Sequence, residues 1–580
     1  MSTPTTDQFL SAIAGFLRAK NALQIRSYIL VEPPLPDIYS TLATELRRSF
    51  SQTNGPALER KCNDLLPEDP DRGPNDEQGT SWPAFVSFMK EYLEYIRDVN
   101  VQNLVETHQV LSGLVNQCIT AMSNPSMGIV VLPTCLQLSG TLAKLAVNLE
   151  RKPELTAHLL RRKSMANVDD DPDSKKTLVE NTAELLQRGF TICLTERTSN
   201  PSGLLPGGRP EGKKVGIYSF ANLVLKLLFQ CRKPRLASQL FTNITQQSPP
   251  LAAFPAAQRV TYLYYLGRFC FFNNQFNRAR LALEAANSQC HVRCLNQRTL
   301  LLTYLVATNI ILGRFPTSAL LQRPEASELG PKFWPLCQAI VKGDLTAFKR
   351  SFEGEHKHWF IDKGILLPLR NRCEIIVWRS LARRTFILNG VPGGESRRAP
   401  TFSLDDLLQL AQYLERRSNA SESSGNAFAN GSNNHNLTFG AQRVAAENFS
   451  SKASVDPDLS DASSEELENE DDDEDSEYRG SSITLFTTEA ILASLIDQGL
   501  LHGFLSHKLR RFAILGAKTK GALNAGFPNV WSVLSAKGEE TAVPGWVRED
   551  RKPPGIFGAG AKFGPGMVVN LSGARPVGSS

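Results

Sequence analysis

The sequence predicts an all-α protein: a helical-repeat solenoid of tetratricopeptide type, followed by a winged-helix module with a small β-hairpin. Three observations predict it. Apolar residues recur at helical spacing through most of the chain. In the middle third the helical segments pair off around short turns. Toward the C-terminal end three helical segments precede two short strand-like segments that flank a basic turn, which is the element order of a winged helix.

The 580 residues exceed what one hydrophobic core supports, so several structural units are expected. Residues 6–198 read as helices interrupted by polar stretches at 67–79 and 167–173. The apolar run 9–17 behind Asp7 reads as an amphipathic helix capped near that aspartate. No basic region precedes it, so a signal peptide is not expected; uncharged runs are read as falling short of ~18 residues, so a segment that crosses a membrane is not expected either. The stretch SNPSGLLPGGRPEG, residues 199–212, combines Ser, Pro and Gly without periodicity and marks the clearest boundary.

Beyond it, residues 215–229 form one helix, and 256–272 with 276–286 form a hairpin around Asn273 and Asn274. Gly267, Ala279 and Ala286, with Leu283, stand at the small- and large-residue positions of a tetratricopeptide unit, where small side chains let two helices approach. Residues 297–312, 332–341 and 345–352 continue the hairpin rhythm, and such hairpins bury their faces only against neighbours. Residues 365–388 are a long arginine-rich helix. Ser403 and Asp406 open a helix expected to reach residue 414. Residues 418–480 are Asn/Ser/Gly-rich and then acidic, without the apolar periodicity to join a core. Periodicity resumes at residue 487, with Ile491, Leu492, Leu495 and Ile496 on one face. Residues 504–506 and 511–515 read as strands around the turn 507–510, and from Gly521 a Gly/Pro-rich tail is expected to be mostly disordered, with Phe527, Trp531 and Trp546 as candidates for local docking. The expected division is therefore 1–205, 206–364, 365–516 with the insertion 418–480, and the tail 517–580.

The net charge of +6 averages unlike parts. Thirteen Asp and Glu lie between Asp456 and Glu477 without a Lys or Arg, and removing them leaves +19 for the rest. A basic body points to a polyanionic partner. The ten cysteines are scattered, several inside apolar runs, as reduced thiols of the cytosol or nucleus are.

Enzyme signatures are absent: no phosphate-binding Gly-x4-Gly-Lys loop, no His-Glu-x2-His pair, no Gly-x-Ser-x-Gly elbow. Cys290, His291 and Cys294 have the wrong spacing for a zinc knuckle and read as structural groups at a helix end. His356 and His358, beside Trp359, read as packing residues. Neither catalysis nor a cofactor is expected.

The candidate site is basic. Arg370, Arg372, Arg379, Arg383 and Arg384 lie on one helix, and Arg372, Arg379 and Arg383 follow i, i+7, i+11 and share a face. Lys508, Arg510 and Arg511 fall in the wing. Arginine pairs bidentately with phosphate oxygens, so Arg372, Arg379, Arg383, Lys508, Arg510 and Arg511 are the expected nucleic-acid-binding residues. Acidic groups of a neighbouring subunit are the alternative partner for Arg379 and Arg383. The segment 488–501, which would read bases in a DNA-binding winged helix, carries Glu489 and Asp497 and no Lys or Arg. Binding is therefore expected to be to the backbone of RNA or DNA and indifferent to sequence.

Two groups of residues carry a family resemblance. Gly343-Asp344-Leu345, Phe348, Phe352, His356 and Phe360 resemble the approach to the winged helix in PCI domains, the family of the proteasome lid, the COP signalosome and translation initiation factor three. Ala257-Gln258-Arg259-Val260-Thr261-Tyr262, Tyr264-Tyr265 and Gly267-Arg268 resemble the PCI subunit of the nuclear transcription-export complex for messenger RNA. Thr303-Tyr304-Leu305, Leu312-Gly313, Pro316-Thr317 and residues 499–507 resemble the same subunit, and a signalosome-associated paralogue shares most of these motifs. The likeness runs over residues 213–528 around the insertion. It implies a non-enzymatic scaffold in the nucleus, at the envelope or pore. It also implies two partners: a larger PCI-type scaffold subunit, and a small acidic disordered subunit shared with the proteasome lid. The alternative it leaves open is a signalosome-like or splicing-associated assembly without nucleic acid.

Overall fold

The computed structural model describes residues 3–50, 55–66, 82–100, 102–152, 154, 177–200, 202–391, 399–428 and 483–537, without the side chains of 417–428. The chain falls into two compact units that divide between Phe269 and Cys270.

The first unit is built from α1 (Pro4–Arg18), α2 (Ala22–Tyr28), α3 (Asp37–Ser49), α4 (Gly55–Leu65), α5 (Pro83–Asp98), α6 (Leu104–Met122), α7 (Gly128–Glu150), α8 (Leu178–Leu194), α9 (Ile217–Gln230), α10 (Ser238–Gln247) and most of α11 (Ala256–Phe272). From α5 to α9 each helix packs on the next, the arrangement expected of a solenoid. The amphipathic α1 buries Phe9, Leu10, Ile13 and Leu17. Phe9 stacks on Tyr28 and Tyr92, with ring centroids 5.0 and 6.0 Å apart. The Tyr92 hydroxyl donates to the Leu30 carbonyl and accepts the Leu30 N–H. Asp7 is not the cap; it lies inside the first turn, 2.6 Å from the Lys61 ammonium.

The premise that no uncharged run is long enough to cross a membrane is corrected here, while the expectation that none does so is not. Helix α7 is long and apolar enough, by length and composition, to cross a membrane. In this fold it is a core helix: Val131, Cys135, Leu138, Leu142 and Ala146 are fully buried, and α7 packs on α2, α6 and α8. The stretch 199–212 sits inside the first unit as a turn closed by a bridge between Leu204 and Pro210. Lys213 follows it into the interior. Its ammonium donates to the carbonyls of Met122 and Asn124, 3.7 Å from the Glu196 carboxylate.

The second unit starts with α12 (Phe276–Gln289), α13 (Leu295–Ile311), α14 (Ser318–Leu321), α15 (Gly330–Lys342), α16 (Leu345–Glu353) and α17 (Lys357–Asp362). Ala279, Leu283 and Ala286 are fully buried, as their tetratricopeptide-like positions require. Helix α15 ends on Gly343, whose left-handed φ of 70° and proximity to the Leu381 backbone leave no room for a side chain. The winged module follows: α18 (Leu366–Asn389), β1 (Thr401–Ser403), α19 (Leu404–Phe428), α20 (Leu485–Asp497), β2 (Gly503–Ser506) and β3 (Arg511–Ile514). The antiparallel sheet has the order β1-β3-β2.

Three features differ from the sequence reading. Strand β1 was not expected; its Phe402 lies opposite Phe512 of β3 and faces the core. Helix α19 runs to Phe428, into the stretch expected to be irregular; residues 429–480 of that stretch lie outside the described residues. The C-terminal stretch also folds: α21 (Ala517–Lys520), α22 (Ala522–Gly526) and α23 (Val530–Ala536) return to the unit. Val530 covers Gly313, and the Trp531 ring meets the guanidinium groups of Arg280 and Arg314, 5.0 and 5.6 Å from its centroid. Trp546 lies outside the described residues.

Candidate nucleic-acid interface

The wing is a four-residue turn, 507–510, between β2 and β3. Pairing of Ser506 with Arg511 closes the hairpin immediately before the turn, so the turn side chains project into solvent. Arg510 adopts φ of 47°, and its carbonyl accepts the Leu404 N–H at 2.8 Å, which locks the turn against the start of α19. Its guanidinium lies 3.5 Å from Asp405. Lys508 and Arg511 are exposed and make no ion pair among the described residues. His507 hydrogen-bonds Glu489 of α20 at 2.8 Å, tying the turn to that helix. The structure thus brings Lys508, Arg510 and Arg511 together at one tip.

Helix α18 behaves differently. Arg372 and Arg383 are exposed, as is Arg370, and Arg384 donates to the Lys342 carbonyl at 3.4 Å. Arg379, expected on the phosphate face, is instead a packing residue. Its guanidinium is largely enclosed and donates to the carbonyls of Phe527 and Pro528, at 3.0 and 2.5 Å. Burial, and after it the charge of Arg383, lowers its pKa to about 10, so it stays protonated at neutral pH. The contacted carbonyls sit at the far end of the hairpin from the turn: His502 donates to Gly526 and Leu515 donates to His502 there. At about 3.4 Å per residue the intervening strand separates the two ends by roughly 10 Å. Arg379 is therefore not part of the wing surface.

Helix α20 presents no Lys or Arg, and the most exposed apolar side chain on it is Phe486. It lacks the Arg, Lys, Asn and Gln side chains that make bidentate base-edge contacts. Two groups near the wing escaped the sequence reading. Lys518 and Lys520 are exposed just after β3. Phe504 and Leu515 are exposed on the outer side of the sheet, at 52% and 54% of their full area. The signal for Phe504 was strand alternation, which makes its neighbours Gly503 and Leu505 the inward pair.

No family model matches the chain. A PCI domain-containing protein of Schizosaccharomyces pombe is 26% identical over 413 residues, covering 70% of this chain and 83% of that protein. The relatives support the family of PCI-domain proteins. A CSN12 homologue of Neurospora crassa is 33% identical over 229 residues, 38% of this chain and 47% of that protein. PCI domain-containing protein 2 of Danio rerio is 29% identical over 211 residues, 36% of this chain and 49% of that protein. The chain spans about half the length of these last two relatives. The helical repeats and three-stranded winged module agree with the PCI architecture.

Proposed function

We propose that this PCI-domain protein is a non-catalytic scaffold subunit of a nuclear, transcription-coupled messenger RNA export assembly, and that its winged module holds nucleic acid by the backbone. The observation that carries the second part is the cationic wing tip. Lys508, Arg510 and Arg511 are exposed together, while the helix that would read bases carries no cation. Such a surface neutralises phosphates without distinguishing sequences. The larger PCI-type scaffold subunit and the small acidic subunit are the partners this reading requires.

Reversing Arg510 and Arg511 to Glu tests the contact. Each lost phosphate contact reduces the slope of log K against log salt by about one and weakens all sequences alike. Unchanged binding by the double reversal excludes the wing, and loss of the assembly instead of binding makes the wing a subunit interface. A second reading, a subunit of a signalosome-like assembly without nucleic acid, is favoured by the relatives named CSN12 homologue. Copurification from nuclei separates the two: export factors and pore proteins on one side, signalosome subunits or splicing factors on the other.

A further inference from the structure

The outer face of the winged-module sheet is fixed by its register. Residues directly opposite across antiparallel strands share a face. Phe504 lies opposite Ala513, which lies opposite Thr401; Ser506 lies opposite Arg511, which lies opposite Ser403. On the alternate side stand Leu505 and the buried Phe402, Phe512 and Ile514, with the Phe402 and Phe512 rings 5.2 Å apart. Phe504 and Arg511 therefore stand on the solvent side, diagonal to one another and about 7–8 Å apart by strand geometry. Leu515 and His502 continue that side toward the base of the hairpin.

This placement runs against the usual economy of a half-exposed sheet, where apolar residues face the core and polar ones face water. Phe504 is half exposed, and its ring joins no aromatic pair among the described residues. Arg511 shares its face, Lys508 and Arg510 stand at the tip, and Lys518 and Lys520 follow β3 along the chain. Asp405 takes up part of the Arg510 charge, which leaves Arg511 and Lys508 as the cations best placed for phosphate. A sheet face with an open aromatic ring and cations that make no ion pair among the described residues is what an unpaired nucleotide needs. The ring stacks on the base face, and the cations meet the flanking phosphates. A duplex hides its base faces in its own stack and offers the ring nothing.

We propose that Phe504 is a stacking residue and that the outer sheet face binds single-stranded nucleic acid, with Arg511 and Lys508 on the backbone. The proposal rests on the phosphate-binding reading of the wing and adds a strand-state preference to it. Anisotropy titrations of the full chain with a fluorescent oligo-uridine and with a duplex of equal length test it. Phe504→Ala weakens the single strand by roughly 5- to 150-fold, the range for loss of one base–aromatic stack, and leaves the duplex unchanged. The salt slope stays as in the wild type, because no phosphate contact is lost. Phe504→Tyr keeps the single-strand affinity. Because the ring is half exposed, circular dichroism and melting temperature of Phe504→Ala should match the parent.

Equal losses for both ligands, or none for either, overturn stacking while the salt slope of Arg511→Glu still reports on the phosphate reading. If the wild type binds neither ligand, the phosphate reading itself falls and takes the stacking with it. If Phe504→Ala instead detaches the chain from its copurifying subunits and spares the oligonucleotide, the face is a protein interface and the proposal is wrong.

Discussion

Replacing Gly343 by Ala probes how the helical repeats are fastened to the winged module within the second unit. Gly343 ends α15 at φ of 70°, and a Cβ there would lie 2.5 Å from the amide nitrogen and 2.7 Å from the Cα of Leu381. Both are backbone atoms of α18, so no rotamer change relieves the overlap. The left-handed conformation costs a non-glycine residue about 1–2 kcal/mol. Overpacking against a fixed neighbour adds about 1–3 kcal/mol. Together these predict a loss of roughly 2–5 kcal/mol, or about 5–15 °C in the melting temperature of a unit this large. Gly516 supplies the control. Its φ is 72° but no atom lies within 4 Å of the added Cβ, so Gly516→Ala bears only the backbone cost. Thermal unfolding of both variants by circular dichroism isolates the clash as the difference between them. A Gly343→Ala variant no less stable than Gly516→Ala would refute the close approach of α15 to α18.

The same fastening predicts that Arg379→Ala, which strands the carbonyls of Phe527 and Pro528, costs about 2 kcal/mol. Limited proteolysis should then cut the 517–537 stretch earlier than in the parent, and an unchanged cleavage pattern would show that Arg379 does not hold it. Lys213→Met should destabilise the first unit by about 3 kcal/mol, since it leaves Glu196 and two carbonyls without their buried cation; denaturant unfolding measures this. Burial lowers the pKa of His108 to about 4, against about 6.5 in an unfolded chain. Between those values the unfolded state binds a proton that the folded state does not. Stability of the first unit should therefore fall by about 3 kcal/mol as pH drops from 6.5 to 4. His108→Gln should flatten that part of the profile, and a melting temperature that falls equally in both proteins would assign the loss to other groups. Deletion of residues 418–480 should leave the melting temperature unchanged, and a drop of many degrees would show that the stretch packs.

The helices were legible because period 3.6 repeats over many residues and survives local irregularity: α1, α9, α13 and α18 all lie close to where the pattern sets them. Strand β1 was not, because a three-residue strand has one inward side chain, Phe402, and no period to detect. The winged module was legible as an order of elements, and its tip as an exposed basic turn, for one reason. A turn that closes a hairpin has nowhere to put its side chains but solvent, so Lys508 and Arg510 were exposed by local geometry alone. Arg379 shows where that logic stops. Spacing along a helix says which residues share a face, but not what covers it. Here the cover comes from Phe527 and Pro528, 148 and 149 residues downstream, in a stretch whose Gly and Pro content hid its short helices. Phe504 is the converse case. Its outward position follows from register with β3, and a one-residue slip would have sent it into the core. What a helix spacing proposes, a distant segment can cancel; what a paired hairpin exposes stays exposed unless another molecule covers it. The wing and the sheet face beside it are therefore the surfaces on which a ligand should be sought first, ahead of the arginine-rich helix that dominated the sequence.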